Sequence, residues 1–438
     1  MSRPRIAILG AGGLIGFALA EALIRRGFAV TAYARRFTPA QIRALEDHAV
    51  RTELVSLAQD PLTRRLTDAD IVVNCIGVLQ DGPARDTDKV HRHFAEHLSA
   101  LCAQAPQKLL VQLSVPGAAG EDRTAFSLSK RKAERVIAES GAPYLILKPG
   151  FVIAPAAYGG SAMLRALAAL PFGLPPREAA LPFATVAVGD ICETVARVAA
   201  QWRDRKRDWR ASWDLTEEKP GTVADVIDAF RVQGGGPTPR FVTPEFLLTL
   251  GSWAGDFSAW LGWTPPMRTT AIAEMRRGLR GDPKPWIAAT GITPLSARQA
   301  LAVLPVTVQE RWFARLYLLK AVILVTLVLF WCISSLIALT VGFVGAREIL
   351  LSHGFPFPLA HWLTVISSLM DFAVGTLIAF RRTSRFGLIA GIVQSLGYMV
   401  LAAVIAPELW VEPLGALVKT GPAIILMLVA LALADDRG

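Results

Sequence analysis

Residues 6–16 read IAILGAGGLIG. Four apolar residues, Ile6 to Leu9, make one short buried strand. Gly10, Gly13 and Gly16 then turn the chain into a helix over residues 14–26. The first glycine permits a tight turn, the second lets backbone N–H groups approach a pyrophosphate, and the third lets the helix pack closely on the strand. A phosphate would rest on the amides of Gly13, Leu14, Ile15 and Gly16, at the positive end of the helix. The stretch therefore predicts a dinucleotide site. A glycine turn that serves structure alone is the competing reading.

The chain on either side fits the first reading. Strands are expected at 29–34, 50–57, 70–76, 108–114 and 144–148, alternating with helices at 39–47, 86–104 and 128–139. This rhythm predicts an α/β fold, a Rossmann-type doubly wound parallel sheet. The second strand runs into Arg35 and Arg36. A site for NAD(H) usually places Asp or Glu about 20 residues beyond the glycines, to hold the ribose 2′-hydroxyl. Arginine instead suits a 2′-phosphate, which it can grip with two parallel hydrogen bonds. NADP(H) is thus favoured over NAD(H), with plain surface arginines as the alternative.

At 438 residues the chain has room for two or three domains. Its hydrophobic content of 53% is too high for an ordinary soluble enzyme, and the excess sits after residue 313. No secretory leader is expected, because the apolar run near Met1 is only four residues long and leads into the glycine turn. Cys75, Cys102, Cys192 and Cys332 lie far apart and form no CxxC pair. That argues for a reducing compartment and against a metal site. The net charge of +10 could serve nucleic acid, but no helix-turn-helix, zinc-finger or RNP-type pattern accompanies it. The densest basic run, residues 203–210, also holds acids; it reads as a solvated helix end or a patch facing anionic headgroups.

Four apolar stretches come after, at about 316–344, 359–380, 386–406 and 413–434. Each meets the roughly 20 residues that a bilayer requires. Arg311 and Arg315 precede the first, and Arg381, Arg382 and Arg385 lie between the second and third. The loop at 407–412 holds Glu408 and Glu412 and no Lys or Arg. Positive-inside counting then puts the N-terminal region, the 381–385 loop and the C-terminus in the cytosol, with the bundle in the cell inner membrane. Asp371 and Lys419 fall inside apolar stretches, where charge is costly and often functional; pairing with each other, or a snorkelling Lys419, is the simpler account. His361 and Gln394 read as interfacial or helix-packing residues. The span number and loop character resemble DoxX-like membrane domains. Three regions are expected: 1–150 for the nucleotide, 151–305 for a small α/β lobe covering the cleft, and 306–438 for a four-helix membrane bundle.

Residues 4–305 resemble the extended or atypical branch of the short-chain dehydrogenase/reductases, nearest to NmrA-like proteins and the NAD(P)-binding accessory subunit of respiratory complex I. Gly10-x-x-Gly13-x-x-Gly16 has that branch's spacing, Asn74-Cys-Ile-Gly77 closes the fourth strand, and Lys148-Pro149-Gly150 follows the sixth. Residues 186–190 and 291–295 look like its later landmarks. The resemblance implies that Asp60 contacts adenine, that Asn74, Gly77 and Pro149 line the cofactor, and that Ser114 is the catalytic serine. It also sets Phe126-Ser-Leu-Ser-Lys130 on the family's Tyr-x-x-x-Lys. There the tyrosine moves the proton, while the lysine lowers its pKa and holds the nicotinamide ribose. Phe126 has no proton to give, and general acid–base catalysis needs a titratable group within reach. Lys130 can still hold ribose and Ser114 can still donate; Asp122 or water is left as a relay.

Residues 251–263, GSWAGDFSAWLGW, are rich in tryptophan and short of charge. They read as core packing, as a surface lying on the membrane, or as the entrance for an apolar substrate. Two functions remain. One is an oxidoreductase tethered beside an apolar substrate such as a quinone, lipid or isoprenoid; the other is a catalytically silent NAD(P)H-binding sensor or scaffold that meets a membrane-protein partner. Non-redox chemistry such as epimerisation would also miss the tyrosine.

Overall fold

The computed structural model describes residues 3–46, 51–54, 65–79, 86–203, 209–411, 415 and 417–434. The chain forms two compact units, one of residues 1–254 and 266–314, the other of 255–265 and 315–438.

The first unit is built on a seven-stranded sheet. Its strands are β1 (Arg5–Leu9), β2 (Ala29–Ala34), β3 (Arg51–Leu54), β4 (Ile71–Asn74), β5 (Leu109–Leu113), β6 (Tyr144–Pro149) and, after β7 (Phe151–Ile153), β8 (Phe172–Gly173) and β9 (Thr185–Ala187), the strand β10 (Arg210–Leu215). They lie in the order β10-β6-β5-β4-β1-β2-β3, and every neighbouring pair is parallel. Alternation makes the fold doubly wound. Ile6 and Ile8 of β1 point into one core with Leu19 and Leu23 of the helix Leu14–Arg25 and Val195 of the helix Val188–Arg203. Ala7 and Leu9 point the other way, into a second core with Leu98 of Phe94–Ala103 and Ile137 of Ala125–Glu139. Both faces are covered, so the strands read as continuous apolar runs. The chain leaves one side of β1 through β2 and β3 and returns on the other through β4. A ligand binds at the carboxyl ends of the strands at such a reversal.

The expected strand at 29–34 matches β2, and the other expected strands overlap β3 to β6. The expected helix at 86–104 is broken into a π-helical turn, Lys89–His93, followed by Phe94–Ala103. Residues 151–305 do more than cover a cleft, because β10 and the helix Val188–Arg203 complete the main sheet layer. The lobe proper packs Ile153, Leu164, Phe183, Val226, Phe230 and Leu301 together. It adds two short parallel pairs, β7 with β9 and β8 with β11 (Phe241–Val242). Its helix Val223–Gly234 starts at a capping box of Thr222 and Asp225 and stops at the left-handed Gly235.

The second unit is a helical bundle. Three helices, Val308–Leu339, Phe357–Ala379 and Ser384–Ile405, are long and apolar enough to cross a membrane. The fourth expected stretch holds a shorter apolar helix, Thr420–Ala432, at 13 residues; residues 412–414 and 416, where that stretch begins, lie outside the described residues. All four share one core of Leu327, Trp331, Val374, Ile378, Leu388, Met427 and Ala430. Small residues allow the close approach that membrane helices need: a Cβ on Gly391 would lie 2.8 Å from the Met427 sulfur. A further helix, Phe343–Ser352, comes after the first span. Asp371 does not pair with Lys419. Its carboxylate accepts from Gln394 Nε2 at 2.5 Å and from the Tyr398 hydroxyl at 2.9 Å, while Lys419 stands at the start of Thr420–Ala432. A carboxylate inside the bundle finds neutral donors on the adjacent helix, so the charge is solvated by hydrogen bonds. His361 stacks on Phe357 and meets Phe343 edge-on, a packing role.

Candidate functional site

The glycine turn is folded as a phosphate cradle. Gly10 has φ +81°, which an L side chain rarely adopts, and its N–H donates to Tyr33 O at 2.9 Å, tying the turn to β2. A Cβ on Gly16 would strike the Gly10 carbonyl oxygen, so only glycine lets the helix start this close to β1. The helix Leu14–Arg25 carries no side-chain cap and no acid in its first turn. Gly13 N–H donates within the turn to Gly10 O at 3.0 Å; the amides that follow, with no side-chain cap, stand at the positive end of the dipole, where a pyrophosphate is favoured. Arg35 and Arg36 come directly after β2 and are exposed. The Arg36 carbonyl stands 2.6 Å from where a Cβ of Gly12 would be, so this arginine pair borders the cradle. The residues present fit a dinucleotide. Asp60 lies outside the described residues.

The neighbouring strand ends carry the other expected positions. Asn74 closes β4, is buried, donates to Gln112 Oε1 at 2.8 Å and accepts from Ile76 N–H at 3.1 Å. It shapes the loop that carries Gly77, whose open side faces Lys130 Nζ. Pro149 ends β6 opposite Leu215. Lys130, on the helix Ala125–Glu139, is 4% exposed, and its ammonium donates to the carbonyls of Ile76 at 3.2 Å and Leu113 at 3.0 Å. Burial pushes its pKa down to about 8, with Cys75 and Glu134 opposing. An ammonium has three donors. Two hold the loop after β4 to the end of β5.

The other end of the site holds Phe126, His91, Ser114 and Asp122 in a network of packing and ion pairs. Phe126 lies at the start of the same helix and meets His91 edge-on, with ring centroids 5.7 Å apart. His91, on the π-helical turn, is buried, and its pKa is pushed down to about 3 by burial and by the Lys130 ammonium. Its tautomer is set by its partners. Val78 N–H donates to Nε2 at 3.1 Å, so the proton sits on Nδ1 and donates to Ser129 Oγ at 2.8 Å. Neutral and bonded at both nitrogens, His91 supports the loop and the Phe126 ring and offers no acid. Ser114, expected as a donor, donates its hydroxyl hydrogen to Glu134 Oε1. Glu134 in turn meets Arg131 at 3.0 Å and Lys148 at 3.3 Å. Asp122, the expected relay, is fully buried between Arg131 at 3.0 Å and Arg277 at 3.3 Å. It is an ion-pair partner in this cluster.

The sequence reading missed His91, Arg131 and Glu134. Arg131 and Glu134 flank the helical turn after Lys130, so their placement beside Ser114 is fixed once the helix is set. For His91 no residue pattern signals the π turn that aims it. Among the described residues no group of three His, Cys, Asp or Glu could hold a metal ion.

Comparison with known proteins agrees with this geometry. Residues 10–166 match the NAD(P)H-binding family, and residues 328–428 match the DoxX-like family. No curated protein matches the chain. Among solved structures, a UDP-glucuronic acid 4-epimerase from Bacillus cereus in complex with UDP-glucuronic acid and NAD superposes at a TM-score of 0.52. It has 13% identity, with 71% of this chain and 99% of that one covered. WbmH from Bordetella bronchiseptica, in complex with NAD+, gives 0.51 at 15% identity, covering 72% and 98%. TunA, an NAD-dependent NDP-hexosamine 5,6-dehydratase, gives 0.50 at 16%, covering 72% and 99%. At such identities the shared property is the fold. The chain thus joins a nucleotide-binding α/β fold, similar to an NAD(P)H-binding family over residues 10–166, to a helical region similar to a DoxX-like family over residues 328–428.

Proposed function

We propose that the protein is a membrane-anchored oxidoreductase that binds NADP(H) in preference to NAD(H) and acts on an apolar, bilayer-associated substrate, a quinone above all. The observation that carries the reading is an uncapped phosphate cradle bordered by Arg35 and Arg36, in the same chain as three membrane-length helices. The bound dinucleotide would supply a hydride. The chain's own residues would hold it: the amides of Leu14, Ile15 and Gly16 on the pyrophosphate, with Gly13 shaping the turn beneath it, the arginines on the 2′-phosphate, and the third N–H of Lys130 on the nicotinamide ribose. With phenylalanine at position 126, no side chain there gives a proton. A quinone suits such a site, because it can accept the hydride and take its proton from water. The bundle would hold this site at high effective concentration beside substrates dissolved in the bilayer. In this reading the bundle lies in the cell inner membrane with the nucleotide domain in the cytosol.

The second reading, a silent NAD(P)H-binding sensor or scaffold with a membrane-protein partner, draws on the Ser114–Glu134 bond and the neutral, doubly bonded His91. Turnover separates the two. The full chain in lipid nanodiscs is titrated with NADPH and NADH by cofactor fluorescence, then supplied with a short-chain quinone. Tighter NADPH binding with quinone-dependent oxidation is the expected result. Binding without oxidation across quinones and carbonyls, in both wild type and Phe126→Tyr, would hand the protein to the silent reading. Failure to bind either nucleotide would end both.

A further inference from the structure

The helix Glu245–Trp260 is amphipathic in an inverted sense. Its outward stripe is bulky: Phe246, Leu250, Trp253, Phe257 and Trp260 are 66%, 55%, 62%, 63% and 70% exposed. Its inward stripe is mostly small, with Leu248, Ser252 and Gly255 buried. Gly251 sits so close to Met267 that a Cβ there would collide with the Met267 methyl. The outward residues recur at steps of four, three, four and three, which keeps them on one side over about 21 Å of helix. Between Phe246 and Trp260 the only charged residue is Asp256. A water-facing surface of this kind is anomalous for a soluble lobe.

The contacts at the far end of the helix identify its cover. Residues 255–265 belong to the bundle unit. Leu261 O accepts from Arg381 N–H at 3.1 Å, and Trp263 Nε1 donates to Ala379 O at 2.8 Å. Arg381 also reaches Thr264 Oγ1 at 3.2 Å. The helix is therefore pinned at its C-terminal end to the last turn of the span Phe357–Ala379. Arg381, Arg382 and Arg385 mark that level as the headgroup zone. Phe257 and Trp260, at that end of the stripe, belong to the bundle unit.

We propose that Glu245–Trp260 is an interfacial helix whose aromatic stripe is immersed in the headgroup–acyl boundary of the bilayer. Tryptophan and phenylalanine on one helix face are the residues that hold such a position, typically about 5–10 Å into the boundary. The inference needs only that the bundle spans a membrane, and it stands whether or not the nucleotide site turns over.

The test uses the full chain in liposomes and compares wild type with Trp253→Phe/Trp260→Phe, a change that leaves the buried face intact. Tryptophan emission is quenched by nitroxide lipids labelled near the headgroup, by lipids labelled deep in the acyl chain, and by aqueous iodide. The emission lost on substitution should be quenched about twofold more by the shallow label than by the deep one, and hardly by iodide. Iodide quenching of that component would place the stripe in water and overturn the proposal. Shielding from all three would mean that protein covers it, with a second copy tested by particle mass, and would overturn it equally.

Discussion

The two ends of the candidate nucleotide site are built differently. At the phosphate end, the features of a dinucleotide turn stand together: Gly10 at positive φ, Gly16 against the turn, an uncapped helix and two arginines. At the chemical end, the tyrosine position is Phe126, the serine gives its hydrogen to Glu134, and the nearest imidazole is neutral and fully bonded. Holding a nucleotide and moving a proton are separable properties of one fold, because they rest on different strand ends. The first uses β1 and β2. The second uses β5 and the helix Ala125–Glu139.

The sharpest way to break this comparison is at the phosphate end. Gly16→Val puts a branched side chain against the Gly10 carbonyl, with backbone on both sides and nowhere to move. Nucleotide affinity should fall by about 100-fold or more, read by NADPH fluorescence on the full chain in nanodiscs. If affinity survives, the glycine turn serves structure alone. Lys130→Met comes next. It leaves the carbonyls of Ile76 and Leu113 without their donor and removes the remaining N–H. Charged hydrogen bonds contribute about 1.5–3 kcal/mol each, so affinity should drop about tenfold or more for both nucleotides alike. Arg35→Ser/Arg36→Ser should differ in kind: about tenfold weaker for NADPH and little changed for NADH. Equal loss for both would remove the 2′-phosphate assignment.

Legibility in the sequence followed the same division. The glycine turn, β1 and β2, and the alternation that covers both sheet faces depend on short-range rules, spacing and period, and these were readable from residues 6–34. The bundle was readable from length and apolarity, yet the partner of Asp371 was not. Charge alone suggested Lys419, whereas the fold brings Gln394 and Tyr398 of the next span to it. The contacts at the chemical end were hidden for a related reason. Ser114 and Glu134 are 20 residues apart, on a strand and a helix, and only packing brings them together. A π turn reorients His91, and no residue type announces it.

The smallest predicted effect is a pH dependence that sets the two functions of Lys130 against each other. Its folded pKa is lowered from 10.5 to about 8. Between pH 8 and 9 the unfolded chain holds a proton that the folded chain has released, so stability rises with pH, by at most about 1.4 kcal/mol per unit. Above that window Cys75 works the other way. Its folded pKa is raised to about 12, so the folded thiol keeps a proton that the unfolded one loses. On the acid side His91, lowered from 6.5 to about 3, makes stability fall as pH drops below 6.5. Nucleotide binding should move oppositely between pH 8 and 9, because only the protonated amine has a third N–H for the ribose. There the apo protein should become harder to melt while NADPH affinity falls, by at most about tenfold per unit. Lys130→Met should flatten both trends. If stability and affinity rise together in wild type, the buried ammonium is not the group that bridges the two ends of the site.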